Sequence, residues 1–143
     1  QKTRDLLFEL TVKEGDPDRI SNITGTLSGI AGSFDLSSQR ICGEAMNTSF
    51  PFARTNNKIT AHTRLLGTTG LKQSLRIDLT FTDGSSQTIE NDLTDLLKNF
   101  NDDMPTPMYI TGDLLTPIEA DMTATIVGWE NGNEENGENI EIY

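Results

Sequence analysis

The most regular alternation of apolar and polar positions in the chain begins at Leu75. Leu75, Ile77, Leu79 and Phe81 face one way, and Arg76, Asp78, Thr80 and Thr82 face the other. A period of two sets one face on a core and the other in water. Asp83-Gly84 follows. Glycine, and to a lesser degree Asp, tolerates the positive φ of a tight turn, so the pair predicts a hairpin returning through Gln87, Thr88 and Ile89. The period then changes. Leu93, Leu96, Leu97 and Phe100 recur at i, i+3, i+4 and i+7 behind Asn91 or Asp92 as a cap. That spacing predicts a short helix near Asp92–Phe100. Leu75, Ile77, Leu79, Phe81, Leu96 and Phe100 are its expected buried residues.

The rest of the chain reads as strands around this unit. Leu6, Phe8, Leu10 and Val12 alternate with Leu7, Glu9 and Thr11, and the Glu14–Asp18 turn cluster ends the run. Ile23, Gly25, Leu27 and Gly29 alternate with Thr24, Thr26 and Ser28; glycines inside a strand point to a bulge or a close backbone approach. Gly32 to Asn47 is less regular and is expected to loop over the surface. Phe50 and Phe52 flank Pro51, which cannot donate to a ladder and so predicts an edge strand or a bulge. Ile59, Ala61, Thr63 and Leu65 form another alternating run, as do Met108, Ile110, Gly112 and Leu114. Met122, Ala124 and Ile126 lead to a strand end at Trp129, and Glu130 to Glu138 reads as an acidic linker. Seven or eight strands with turns between them, and no other crossover helix, predict an all-β fold with one short helix. The expected form is an antiparallel β-sandwich in a single domain, 1–143.

Composition narrows the function. The net charge of −11 repels phosphates and anionic lipids, which argues against both as partners, and no run approaches the length of a transmembrane helix, so no direct membrane insertion by this chain is expected. The single cysteine, Cys42, cannot form an internal disulfide and reads as a packed thiol. His62 is the only histidine; it sits on the polar face of its strand, and a hydrolase would need a serine and a carboxylate beside it. Asn131 to Glu138 carries oxygen ligands at alternate positions, without EF-hand spacing, so a flexible acidic linker is the better reading and no metal or cofactor is expected. Asn22-Ile23-Thr24 and Asn47-Thr48-Ser49 fit the glycosylation sequon, which matters only in a eukaryotic secretory pathway. Tyr109 or Trp129 could stack on a sugar. The closing residues Asn139–Tyr143 alternate again. A strand so short must add to a sheet edge, which makes Ile140, Ile142 and Tyr143 a candidate strand-pairing interface. The partner edge is either that of the Met122–Trp129 strand or that of a neighbouring subunit.

Several segments together resemble the fimbrillin-type surface proteins of Bacteroidetes, especially their anchor and accessory subunits. Asn22 to Ala31 resembles a recurrent strand ending in a Leu-Ser-Gly-Met-Ala-like run, with Ile30 where Met is usual. Leu75 to Gly84 resembles the long strand closing on Asp-Gly, Asp92 to Leu97 the segment opening a short helix, and Thr123 to Glu130 a late strand ending in Trp. The resemblance implies a transthyretin-like Greek-key sandwich, export to the cell surface or outer membrane, and a role in assembling or anchoring fimbriae with other subunits. It carries over no catalytic residue. Members usually begin with a lipoprotein signal and an amino-terminal domain. Neither stands here, and Cys42 is internal, so the chain is expected to be the carboxy-terminal domain alone. Three functions follow: a non-enzymatic structural or adhesion module, a carbohydrate-binding module using Tyr109 or Trp129, and a hydrolase using His62.

Overall fold

A computed structural model describes residues 3–35, 40–69, 72–102, 106–116 and 123–132. The strands are β1 (Arg4–Glu14), β2 (Ile20–Asp35), β3 (Arg40–Pro51), β4 (Ala53–Thr55), β5 (Lys58–Leu65), β6 (Ser74–Phe81), β7 (Ser86–Asp92), β8 (Met108–Leu115) and β9 (Thr125–Gly132). They form two sheets packed as a sandwich. One has the order β4-β5-β1-β8-β9 and the other β3-β2-β6-β7. The alternation read from the sequence supplies the core between them. Leu6, Phe8 and Leu10 of β1, Ile59 of β5 and Ile110 of β8 meet Ile23 and Leu27 of β2 and Leu75, Ile77 and Leu79 of β6. At one end Phe8 stacks on Phe50 with ring centroids 5.8 Å apart, and Phe52 tilts against both. Aromatic clusters of this geometry add to simple area burial.

The hairpin of β6 and β7 forms as expected. Ile77 pairs with Ile89, and Leu75, Ile77, Leu79 and Phe81 are all buried. In its turn Gly84 takes φ +92, and Asp83 Oδ1 accepts from the Ser85 amide at 2.9 Å. Pro51 ends an edge strand, β3, at the point where the chain crosses to the other sheet.

Two expectations are corrected. Asp92–Phe100 is not a helix: residues 94–99 form turns, and a single 3-10 turn covers Phe100–Asp102. The stripe is still used, since Leu93, Leu97 and Phe100 are buried, while Leu96 is only partly so. Asp92 Oδ1 caps the Thr94 amide at 2.9 Å and Leu97 N donates to Leu93 O at 3.0 Å, but the next turns close on i→i+3 bonds. So few residues are below the length at which a helix pays its nucleation cost. The carbonyl of Phe100 instead accepts from the buried Arg4 guanidinium at 2.7 Å, and Arg4 also lies over the Phe100 ring at 5.2 Å. The second correction concerns Gly32 to Asn47, which is not a surface loop. It holds the end of β2 and the start of β3, a long hairpin in which Phe34 pairs with Ile41 and Ser33 with Cys42. The expected antiparallel sandwich is present, with one parallel pair among the described strands. β1 and β8 run parallel, Leu7 opposite Tyr109, while β1 and β5 are antiparallel. Parallel neighbours need a long crossover, and here the intervening chain passes through the other sheet.

Candidate functional site

The outer face of the five-stranded sheet is where residues distant in the chain meet. Register sets two rows across it. In the first, His62 of β5 pairs with Leu7 of β1, and Leu7 with Tyr109 of β8. In the second, Ala53 pairs with Thr60, Thr60 with Glu9, and Glu9 with Thr111. Residues directly opposite one another on a face hold their Cβ atoms about 5 Å apart, and diagonal neighbours about 7–8 Å apart. The rows flank a cleft of about 270 Å³ whose lining includes Leu7, Glu9, Pro51, Ala53, His62 and Tyr109. Leu7 is its unusual member. It alternates with the core residues Leu6 and Phe8 and is no part of the inter-sheet cluster, yet it is only 8% exposed.

The electrostatics around the cleft are uneven. Asp5, the next outward residue along β1, accepts from Arg64 Nε at 2.9 Å and lies 3.2 Å from His62 Nε2. Hydrogen bonds from Arg64 and then His62 hold the Asp5 carboxyl below its ordinary value of 3.8. Glu9 is partly buried, and its carboxylate makes no ion pair or hydrogen bond among the described residues. Its oxygens can accept from an incoming cation or hydrogen-bond donor.

The sites proposed from sequence fare differently. His62 has its carboxylate in Asp5, but no serine hydroxyl bonds to it, and its side chain is 52% exposed. The three-membered arrangement of a nucleophilic hydrolase is thus not assembled among the described residues. Trp129 packs against the core and lies over Gly112, where an added Cβ would come 3.1 Å from Trp129 Cε3. Its Nε1 is fully buried without a hydrogen-bond partner among the described residues, while the residue as a whole is partly buried. Tyr109 does line the cleft. Among the described residues no cluster of three or more His, Cys, Asp or Glu could hold a metal ion. Within the same residues no helix is long and apolar enough to cross a membrane. Ile140, Ile142 and Tyr143, the strand-pairing candidates, lie outside the described residues, as do residues 133–138 of the acidic linker. β9, one of their two candidate partners, is an edge strand of its sheet among the described residues.

Sequence reasoning missed the cleft because its lining comes from four separate stretches of the chain, 7–9, 51–53, 60–62 and 109–111. The signal that could have pointed to it was Leu7, an apolar residue on the polar side of a clean alternation.

No protein-family model matches the chain, and no curated protein matches it. Two solved structures share its fold. One is a protein from Bacteroides ovatus proposed to be an adhesin, with a TM-score of 0.60 and 14% identity over 85% of this chain and 50% of the other. The second is the fimbrial anchor protein Mfa2 from Porphyromonas gingivalis, also with a TM-score of 0.60, at 15% identity over 92% of this chain and 47% of the other. The chain thus spans about half the length of each. At this identity the likeness is one of fold, and that fold agrees with the resemblance drawn from the sequence motifs.

Proposed function

We propose that the chain is a non-enzymatic structural or adhesion module of a bacterial surface assembly of the fimbrial kind, acting through contacts with other subunits. The observation that carries this reading is the sandwich shared, over most of the chain, with a proposed adhesin and a fimbrial anchor protein. In this reading the chain is one domain, the carboxy-terminal one, of a longer exported protein at the outer membrane, and its strand connectivity is of the transthyretin-like kind. Of the two aromatics considered for sugar binding, Tyr109 lines the cleft described above.

Strand pairing at a sheet edge is one route to such a contact. Asn139–Tyr143 adds to the edge of a neighbouring subunit by β-augmentation, or folds back on the edge of β9 within the same domain. The short linker gives the local edge a high effective concentration and favours the intramolecular hairpin. Deleting Asn139–Tyr143 tests this by thermal unfolding and sedimentation at several protein concentrations. Lost stability at every concentration supports the hairpin. An unchanged monomer with lost self-association supports exchange. No change in either measurement refutes strand pairing by this segment.

A further inference from the structure

We propose that the cleft over Leu7 is a docking site for a basic side chain, lysine or arginine, carried by an extended segment of a partner protein. The proposal rests on the reading that this chain works through protein contacts, and it names the chemistry of one such contact.

The floor is apolar where an outer sheet face is normally polar. Leu7, Pro51 and Ala53 line it, and Tyr109 stands directly across from Leu7 in register. Glu9 is two residues along the same strand and on the same face, a partly buried residue whose carboxylate has no partner among the described residues. The site therefore asks for a guest that is apolar along its length and positively charged at its tip. Lysine and arginine are built that way, with a stem that lies along apolar surface and a head that seeks an anion. A cationic head beside the Glu9 carboxylate would gain an ion pair there. The volume of about 270 Å³ suits one long side chain rather than a broad surface. The net charge of −11 draws basic segments to this domain and repels acidic ones. A neutral saccharide could lie on the floor but would leave the Glu9 charge uncompensated.

The test is an NMR titration of the isotope-labelled chain, at low salt, with the peptide acetyl-Ala-Lys-Ala-amide. The same peptide with norleucine in place of lysine serves as its uncharged counterpart, and methyl glucoside as a neutral sugar. The lysine peptide should shift the amides of Leu7, Glu9, Tyr109 and Thr111 saturably. The norleucine peptide should bind at least about ten-fold more weakly, as should the lysine peptide to Glu9→Gln, whose own spectrum reports whether it remains folded. Added salt should weaken the lysine complex. The proposal fails if no saturable shift appears, if norleucine binds as well as lysine, if Glu9→Gln has no effect, or if only the sugar moves these amides. Such a failure leaves the assembly reading standing, because deletion of Asn139–Tyr143 examines that reading at another place in the molecule.

Discussion

Gly25 sits in mid-strand where two phenylalanine rings close over the backbone. A Cβ there would lie 2.8 Å from Phe52 Cε1 and 2.9 Å from Phe50 Cε1. Those distances are roughly 0.6–1.2 Å shorter than a comfortable carbon–carbon contact. Neither ring can easily retreat, since Phe50 stacks on Phe8 and Phe52 packs on both. Overpacking of this kind costs about 1–3 kcal/mol. Replacing glycine also narrows the unfolded ensemble, which returns about 0.4–1 kcal/mol. Gly25→Ala should therefore destabilise the domain by about 1–2 kcal/mol and lower Tm by about 3–6 °C for a chain of this size. Thermal and urea unfolding followed by circular dichroism measure both. The aromatic origin is tested by a double-mutant cycle with Phe52→Leu, in which the cost of Gly25→Ala should shrink by more than about 0.5 kcal/mol. A Gly25→Ala protein as stable as the parent, or an unchanged cost in the Phe52→Leu background, would refute the reasoning.

Leu79 is 0% exposed in β6, between β2 and β7, so Leu79→Ala should cost about 2–5 kcal/mol in urea unfolding through lost burial and a residual cavity. Arg4→Met should destabilise by about 1–3 kcal/mol, because the carbonyls of Phe100 and Thr106 lose a buried donor; faster amide exchange confined to residues 93–102 would show where the damage falls. Asp5, Asp83 and Asp92 all have folded-state values held below 3.8, by Arg64 and His62, by Ser85 and by Thr94 respectively. Lowered carboxylate values give stability that is present above the unfolded value and is lost as pH falls through the folded one. The fall should thus begin below about pH 4, and Asp5→Asn should flatten it in denaturant titrations; an unchanged slope would exclude Asp5 as a contributor.

How far the sequence discloses this molecule depends on whether the deciding contacts are local. β6 and its hairpin were legible because alternation and the Asp83-Gly84 turn are both encoded within a few residues. The helix expected after them failed because its apolar spacing is equally served by turns that pack Leu93, Leu97 and Phe100 against the core, with Arg4 from the first strand bonding the carbonyl of Phe100. The β2–β3 hairpin was hidden by irregular pairing, with register shifts between Leu27 and Ile30 and between Ala31 and Ser33, and by Gly29 at φ +71. Such shifts erase the period of two on which strand recognition depends. The parallel pairing of β1 with β8 joins opposite ends of the chain, and no local pattern encodes it. The cleft follows from that pairing: Tyr109 and Thr111 reach Leu7 and Glu9 only because β8 lies beside β1. His62 and Tyr109 could be picked out one by one in the sequence, but Glu9 between their strands, unpaired among the described residues, could not.

Cross-linking on intact cells that make the protein tests the central claim most directly. A membrane-impermeant lysine reagent, followed by mass spectrometry, would report whether the chain is at the surface and what it touches there. The account predicts that lysines such as Lys58 react before lysis and link this domain to other surface subunits. A chain protected from the reagent until the cells are broken, or one that reacts but links only to itself, would contradict a role in a surface assembly.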